Sequence, residues 1–148
     1  MPCDALEEML GRLPQHRFVD QIPAALRPWL LPIDWNRDQL WRLDLLRQRI
    51  RLDLLRWHQA LPWWRYGGAW FRVAPHEVPA RPSAYPEHAE RIASADLSYP
   101  LHVVRRRHRW VILDGVDRLA KADLLGYTDV QAFTLTTEDL AAIAQHAA

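Results

Sequence analysis

Asp114, Gly115 and Arg118 stand at a spacing suited to holding an anion. Gly115 lies where an apolar segment ends and a helical period begins. A helix start leaves backbone N–H groups without partners and carries a partial positive charge. A glycine just ahead of it lets a ligand approach the backbone, and an arginine in the first turn adds a planar fork for phosphate. Gly115, Val116, Arg118 and Lys121 are therefore the candidate cofactor-binding positions. Asp114 and Asp117 could bind a magnesium ion or take a proton, which makes them the candidate metal ligands. With His102, in the segment that leads into the turn, they are also the candidate catalytic residues. The competing reading is structural: Asp114 caps the helix, Gly115 makes a turn and Arg118 is solvated.

The surrounding pattern supplies the elements. Val103-Val104 and Trp110 to Leu113 flank a polar turn and read as a hairpin. Its tip, Arg105 to His108, is expected to be solvated, with contact to phosphate or nucleic acid as the alternative. From Val116 the period turns helical through Leu119, Ala120, Leu124 and Leu125, and Gly126 stops it. Val130, Ala132 and Thr134 fit a following strand. Alternation sets His102 on the face opposite Leu101 and Val103, as a surface or satisfied strand histidine or as a functional one.

From about Ser98 to Thr134 the chain resembles the core of the ParB/sulfiredoxin superfamily. The resemblance rests on Tyr99-Pro100-Leu101-His102-Val103, then Ile112-Leu113-Asp114-Gly115-Val116-Asp117-Arg118-Leu119-Ala120-Lys121-Ala122, then Leu125-Gly126. It implies an α+β fold, a small mixed β-sheet with packed helices, over residues 47–148. Residues 1–46 form a proline- and tryptophan-rich N-terminal extension. It also implies a nucleotide phosphate site at the Gly-x-x-Arg turn. Members of that family include CTP-dependent DNA-partition proteins, an ATP-dependent sulfinic-acid reductase, free-serine kinases using ADP or ATP, and proteins labelled nucleases. ATP or another nucleotide with Mg2+ is the implied cofactor. Phosphoryl transfer from it to a small polar acceptor is the leading activity. The alternatives are a DNA-associated clamp or nuclease and a non-catalytic partner-binding protein. Few residues follow Thr134, too few for the DNA-binding module of the partition proteins, so DNA is the less favoured partner. Many small-molecule members of the family carry His before the motif arginine. This chain has Asp117 there, which repels anions where a histidinium would donate. Sulfiredoxins carry a cysteine inside the motif, and none is present here.

Composition sets outer limits. A length of 148 residues suits one domain with an extension. No segment is apolar enough to span a membrane, and the start lacks a signal pattern, so a cytoplasmic protein is expected. A single cysteine, Cys3, excludes an internal disulfide and thiol metal clusters. The net charge of +1 argues for no nucleic acid by itself, although arginines concentrate between Arg37 and Arg72. The histidines show no metal-hydrolase spacing, though His58 follows the first expected strand and could neighbour the site. Asp53 and Glu77 are further candidate carboxylates.

The remaining chain reads in order. Asp4 to Leu13 fits a helix capped by Asp4, with Leu6, Met9, Leu10 and Leu13 as its stripe. Phe18 to Pro32 is an irregular arm that wraps the core or pairs with a second subunit. Asn36 caps a short helix through Trp41, and Gln48 to Leu52 alternates as a strand. Trp57 to Phe71 is aromatic: a satellite core, a stacking surface for bases, or a homodimer surface. Pro62 and Gly67-Gly68 make loops of it, and Val73 to Pro86 is loop. Glu87 to Leu97 and Thr136 to His146 are helices, the last capped by Thr136 or Thr137.

Overall fold

A computed structural model describes residues 2–145 and residue 147, with side chains from residue 5 onward. The cap expected from Asp4, the thiol of Cys3 and the expected helical place of His146 lie outside what is described. The described residues form helices α1 (Pro2–Arg12), α2 (Arg37–Arg42), α3 (Glu77–Ala80), α4 (Pro86–Ser94), α5 (Val116–Leu124) and α6 (Thr137–Ala144). The strands are β1 (Arg47–Arg51), β2 (Trp64–Tyr66), β3 (Ala69–Val73), β4 (Leu101–Arg106), β5 (Arg109–Asp114) and β6 (Asp129–Leu135). This is an α+β fold. No described helix is long and apolar enough to cross a membrane.

The main sheet has the order β1-β6-β4-β5. β4 and β5 form the expected hairpin, and β6 returns parallel to β4 with Leu101 opposite Ala132 and His102 opposite Phe133. A parallel return needs a crossover, and α5 supplies it. β1 closes the other edge antiparallel to β6. β4 is buried at five of its six positions, so both its faces are covered. Leu101 and Val103 face α5, in a cluster with Ile50, Ile112, Leu119 and Ala132. Val104 faces the other way, into a cluster with Leu6, Leu10 and Met9 of α1, Leu31 and Ile33 of the arm, and Leu140 and Ile143 of α6. The N-terminal arm is therefore one wall of the core. The caps read from the sequence are in place: Asn36 accepts from the Gln39 amide, and Thr136 and Asp139 form a capping box.

Three local readings change. The β4–β5 tip is exposed at Arg105, Arg107 and His108, as expected, but not at Arg106. Arg106 is 5% exposed and donates to both oxygens of Glu7 and to the Leu30 carbonyl, and Arg107 pairs with Glu7 and donates to the Pro28 carbonyl. Gly67-Gly68 is the turn of a second hairpin, β2–β3, and α3 interrupts the expected loop from Val73 to Pro86. Within the aromatic region, Trp57 packs on the main core and Trp64 on a smaller one under α4, which is the satellite-core arrangement.

His58 joins the aromatic region to the sheet. β5 is an edge strand, and its Ile112 amide donates to His58 Nε2 at 3.1 Å. Nε2 is thus the bare nitrogen, so Nδ1 carries the proton and donates to the Leu55 carbonyl at 2.7 Å. The ring is fully buried and stacks on Trp57 and Trp63. Protonation would cost the Ile112 bond and place a cation in an apolar site. Burial accordingly pushes the His58 pKa from 6.5 to about 4.

Arg107 and His108 both have positive φ, 50° and 68°, the backbone of a tight hairpin turn that favours glycine. His108→Gly should stabilise the protein by about 1 kcal/mol in urea unfolding; a loss of stability would show that the tip carries no strain. His58 binds its proton less readily in the folded state than in the unfolded one. Its contribution is therefore complete above pH 6.5 and lost as the pH falls towards about 4. Unfolding free energy should drop by about 3 kcal/mol over that range on its account, and His58→Gln should remove that part of the slope. An identical slope in the variant would refute the assignment.

Candidate functional site

The turn from β5 into α5 is built as a cradle around Arg118. Gly115 takes φ +120°, open to glycine alone. A Cβ placed there would clash with Leu101 Cδ2 and meet Arg118 Nη2 at 2.8 Å. The guanidinium is thus folded back against the glycine, with its side chain 13% exposed. α5 begins without a side-chain cap. Asp114 is therefore not the helix cap. Its Oδ2 accepts from Trp41 Nε1 at 2.8 Å and lies 3.6 Å from Arg118 Nη2 and 3.7 Å from Arg37 Nε. Arg118 also sits over the Trp41 ring, 5.4 Å from its centroid. Trp41 comes from α2, so the N-terminal arm supplies one wall of the site.

The candidate residues part company here. Asp114, Gly115, Val116 and Arg118 are together. Asp117 lies on the neighbouring side of α5, with its Oδ1 buried and unpartnered. Burial raises its pKa, against the opposing charges of Arg91, His88 and Arg118. His102 lies on the face opposite Leu101, as alternation requires, but it is not at the surface. It is 1% exposed, packed 4.4 Å from Trp41 and 5.1 Å from Phe133, with Nδ1 unpartnered. Burial lowers its pKa to about 4, with Asp114 opposing, so the ring is neutral at pH 7. Lys121 is held elsewhere: its ammonium donates to the carbonyls of Ala93 and Ala95, at 2.8 and 2.7 Å, where α4 ends. Asp53 pairs with Arg51, and Glu77 accepts from the Ala74 amide.

Two side chains at the turn escape sequence reasoning. Tyr99 and Tyr127, 55% and 46% exposed, line a cavity of about 160 Å³ with Arg118, Leu97 and Asp129. Tyr99 stands edge-on to Trp41 at 5.9 Å. Tyr99 lies inside the motif strand in sequence, and only the fold brings Tyr127 beside it. The cavity is smaller than the roughly 300 Å³ at which small-molecule sites begin. Its lining sets one cation, Arg118, beside one carboxylate, Asp129.

Mg2+ does not fit as a resident ion. Among the described residues no group of three or more His, Cys, Asp or Glu side chains converges. The Asp114 carboxylate is already held by an indole N–H and two guanidinium groups, and Asp117 sits where burial disfavours its charge.

Gly115→Ala tests the cradle. The substitution adds backbone strain of about 1–3 kcal/mol and overpacking of similar size. We expect a loss of 2–4 kcal/mol by urea unfolding, on the order those two effects give together; a loss below about 1 kcal/mol would show that Arg118 does not fill that space. Compared with protein-family models, curated proteins and solved structures, the chain matches none.

Proposed function

We propose that this chain is a nucleotide-binding protein of ParB/sulfiredoxin-like architecture, and that it transfers a phosphoryl group from ATP or a related nucleotide to a small polar molecule. One observation carries the reading. Arg118 is a nearly buried guanidinium at an uncapped helix start, and its carboxylate partner stands at 3.6 Å, too far for a strong bond. A phosphate oxygen reaching the first amides of α5 would draw the guanidinium from Asp114 into a bidentate pair. Asp114 would keep its bond from Trp41, so the exchange strands no buried charge. Tyr99 and Tyr127 would carry the base and ribose outside the small cavity. The order hairpin, Gly turn, helix and parallel return strand agrees with what the resemblance implies.

The acid–base roles divide unequally in this proposal. His102 is sealed under Trp41 and reaches no acceptor. Asp117 has a pKa raised by burial, which suits it to take a proton from an acceptor hydroxyl; its Oδ1 is closed to solvent, so Oδ2 would be the accepting atom. Lys121 takes no part. A second reading, nucleotide binding without transfer, is favoured by the small cavity and by the absence of a preformed metal cluster among the described residues.

A thermal-shift screen with ATP, ADP, CTP and GTP decides the binding step. At 100 times its dissociation constant a bound nucleotide adds about 2.7 kcal/mol. We expect one nucleotide to raise the melting temperature of the native protein and leave Arg118→Ala unmoved. No shift with any of the four ends the phosphate reading. A shift in both proteins places the nucleotide elsewhere.

A further inference from the structure

A second cavity, of about 370 Å³, lies between the Gly67-Gly68 turn of β2–β3 and the start of α4. Its size falls within the range of small-molecule sites. Arg65 and Arg91 line it, and Glu87 is the opposing charge. No ion pair ties down either guanidinium among the described residues; Arg65 rests on the Trp70 ring at 4.7 Å. The nine-residue helix α4 opens here with Pro86 in its first turn and no side-chain cap, and Glu87 is the acidic residue of that turn, so its positive end faces the cavity offset only by Glu87. Tyr66 and Tyr85, edge to face at 5.1 Å, form an aromatic side.

His88 gives the site its chemistry. It is 7% exposed, it is part of the cavity wall, and its ring stacks on Trp64 at 4.9 Å. Nε2 lies 2.7 Å from the Arg65 carbonyl, and a carbonyl only accepts, so Nε2 carries the proton. In the neutral ring Nδ1 is then a bare acceptor, without a partner and without exposed surface. A buried acceptor left unpaired costs about 1–3 kcal/mol, which a ligand hydroxyl would recover once the ring edge turns toward it. The cations and the helix end ask for negative charge; the imidazole asks for a hydrogen-bond donor.

We propose that this cavity binds a small oxyanion that also bears a hydroxyl, such as hydrogen phosphate or a 2-hydroxycarboxylate. Arg65, Arg91 and the first amides of α4 hold the charge, and Nδ1 of His88 accepts from the hydroxyl. The cavity shares no lining residue with the Gly115 turn, although Arg91 and His88 act electrostatically on Asp117.

The test is an amide NMR titration of the full chain with inorganic phosphate, glycolate and acetate, at constant ionic strength. Saturable shifts should centre on Gly67, Gly68, Glu87 and His88 for phosphate and glycolate. Acetate, which lacks the hydroxyl, should bind at least fivefold more weakly. Arg91 and Glu87 are exposed, so their substitution leaves the fold alone. Arg91→Gln should weaken binding about tenfold and Glu87→Gln should tighten it. Arg118→Ala should leave these shifts in place. The proposal is overturned if no saturable shift appears at these amides, if Arg91→Gln binds as the native chain does, or if acetate equals glycolate. Loss of the shifts in Arg118→Ala would also overturn it, by assigning them to the Gly115 turn.

Discussion

The structure depends on a strand with no free face. β4 is apolar on the α5 side and, at Val104, on the other side too, and Arg106 beyond it is also buried. A four-stranded sheet and one crossover helix can cover only one of those faces. The chain therefore has to find a second cover, and its first 46 residues provide it together with α6. The leucines of α1 lie on the sheet, and Leu31 and Ile33 of the arm fill in beside them. The interruptions by proline do not matter to this role. A wrapping segment needs apolar side chains at intervals and backbone groups that find partners, as His16 does with the Pro32 carbonyl. The same constraint reaches the candidate site, because the arm that covers β4 also delivers Trp41 to Asp114.

Polar groups inside the fold obey one rule with different outcomes. Arg106 stays charged although buried, because Glu7 accepts from it on both oxygens and Leu30 takes a third bond. The desolvation cost is met by charge-assisted bonds of good geometry. His58 has no carboxylate, so it gives up its charge and is held as a neutral ring by one donor and one acceptor from the backbone. It thereby answers an amide on an edge strand that would otherwise lack a partner, and it shields that edge from pairing with another chain. Each of the two solutions ties the aromatic or N-terminal region to the β4–β5 hairpin.

Elements whose signal is local were legible in the sequence. The alternation of β4 and β5, the glycine that ends α5, and the caps at Asn36 and Thr136 all rest on residues within a few positions of one another. The second hairpin was hidden because its register shifts between Trp64 and Tyr66 and its strands are only three and five residues long. The burial of Arg106 was hidden because its partner, Glu7, lies 99 residues away. The same distance argument applies at the turn. That Asp114, Gly115 and Arg118 come together follows from their spacing. That Trp41 holds Asp114 from 73 positions away, and that Lys121 serves α4, follows only from the fold. Family resemblance pointed to the turn, but it carried no information about what the neighbouring elements had already claimed.

The two carboxylates of the turn show why position alone does not assign a role. Asp114 and Asp117 are three residues apart on one short stretch. Asp114 meets an indole N–H and two guanidinium groups, so its negative charge is answered three times. Asp117 points into packing against α4, where one oxygen finds no donor and burial works against ionisation. Environments that push two nearby carboxylates apart in this way are what acid–base chemistry requires. They are also what a structural turn would produce by accident if only one side of a helix were solvated by cations. The distinguishing feature is Arg118. A purely structural pair would gain from closing the 3.6 Å gap to Asp114 into a direct bidentate contact. The guanidinium instead lies against the bare backbone of Gly115, beside helix amides that no side chain caps. A positive group held next to uncapped helix amides is the arrangement on which the proposed phosphate contact rests.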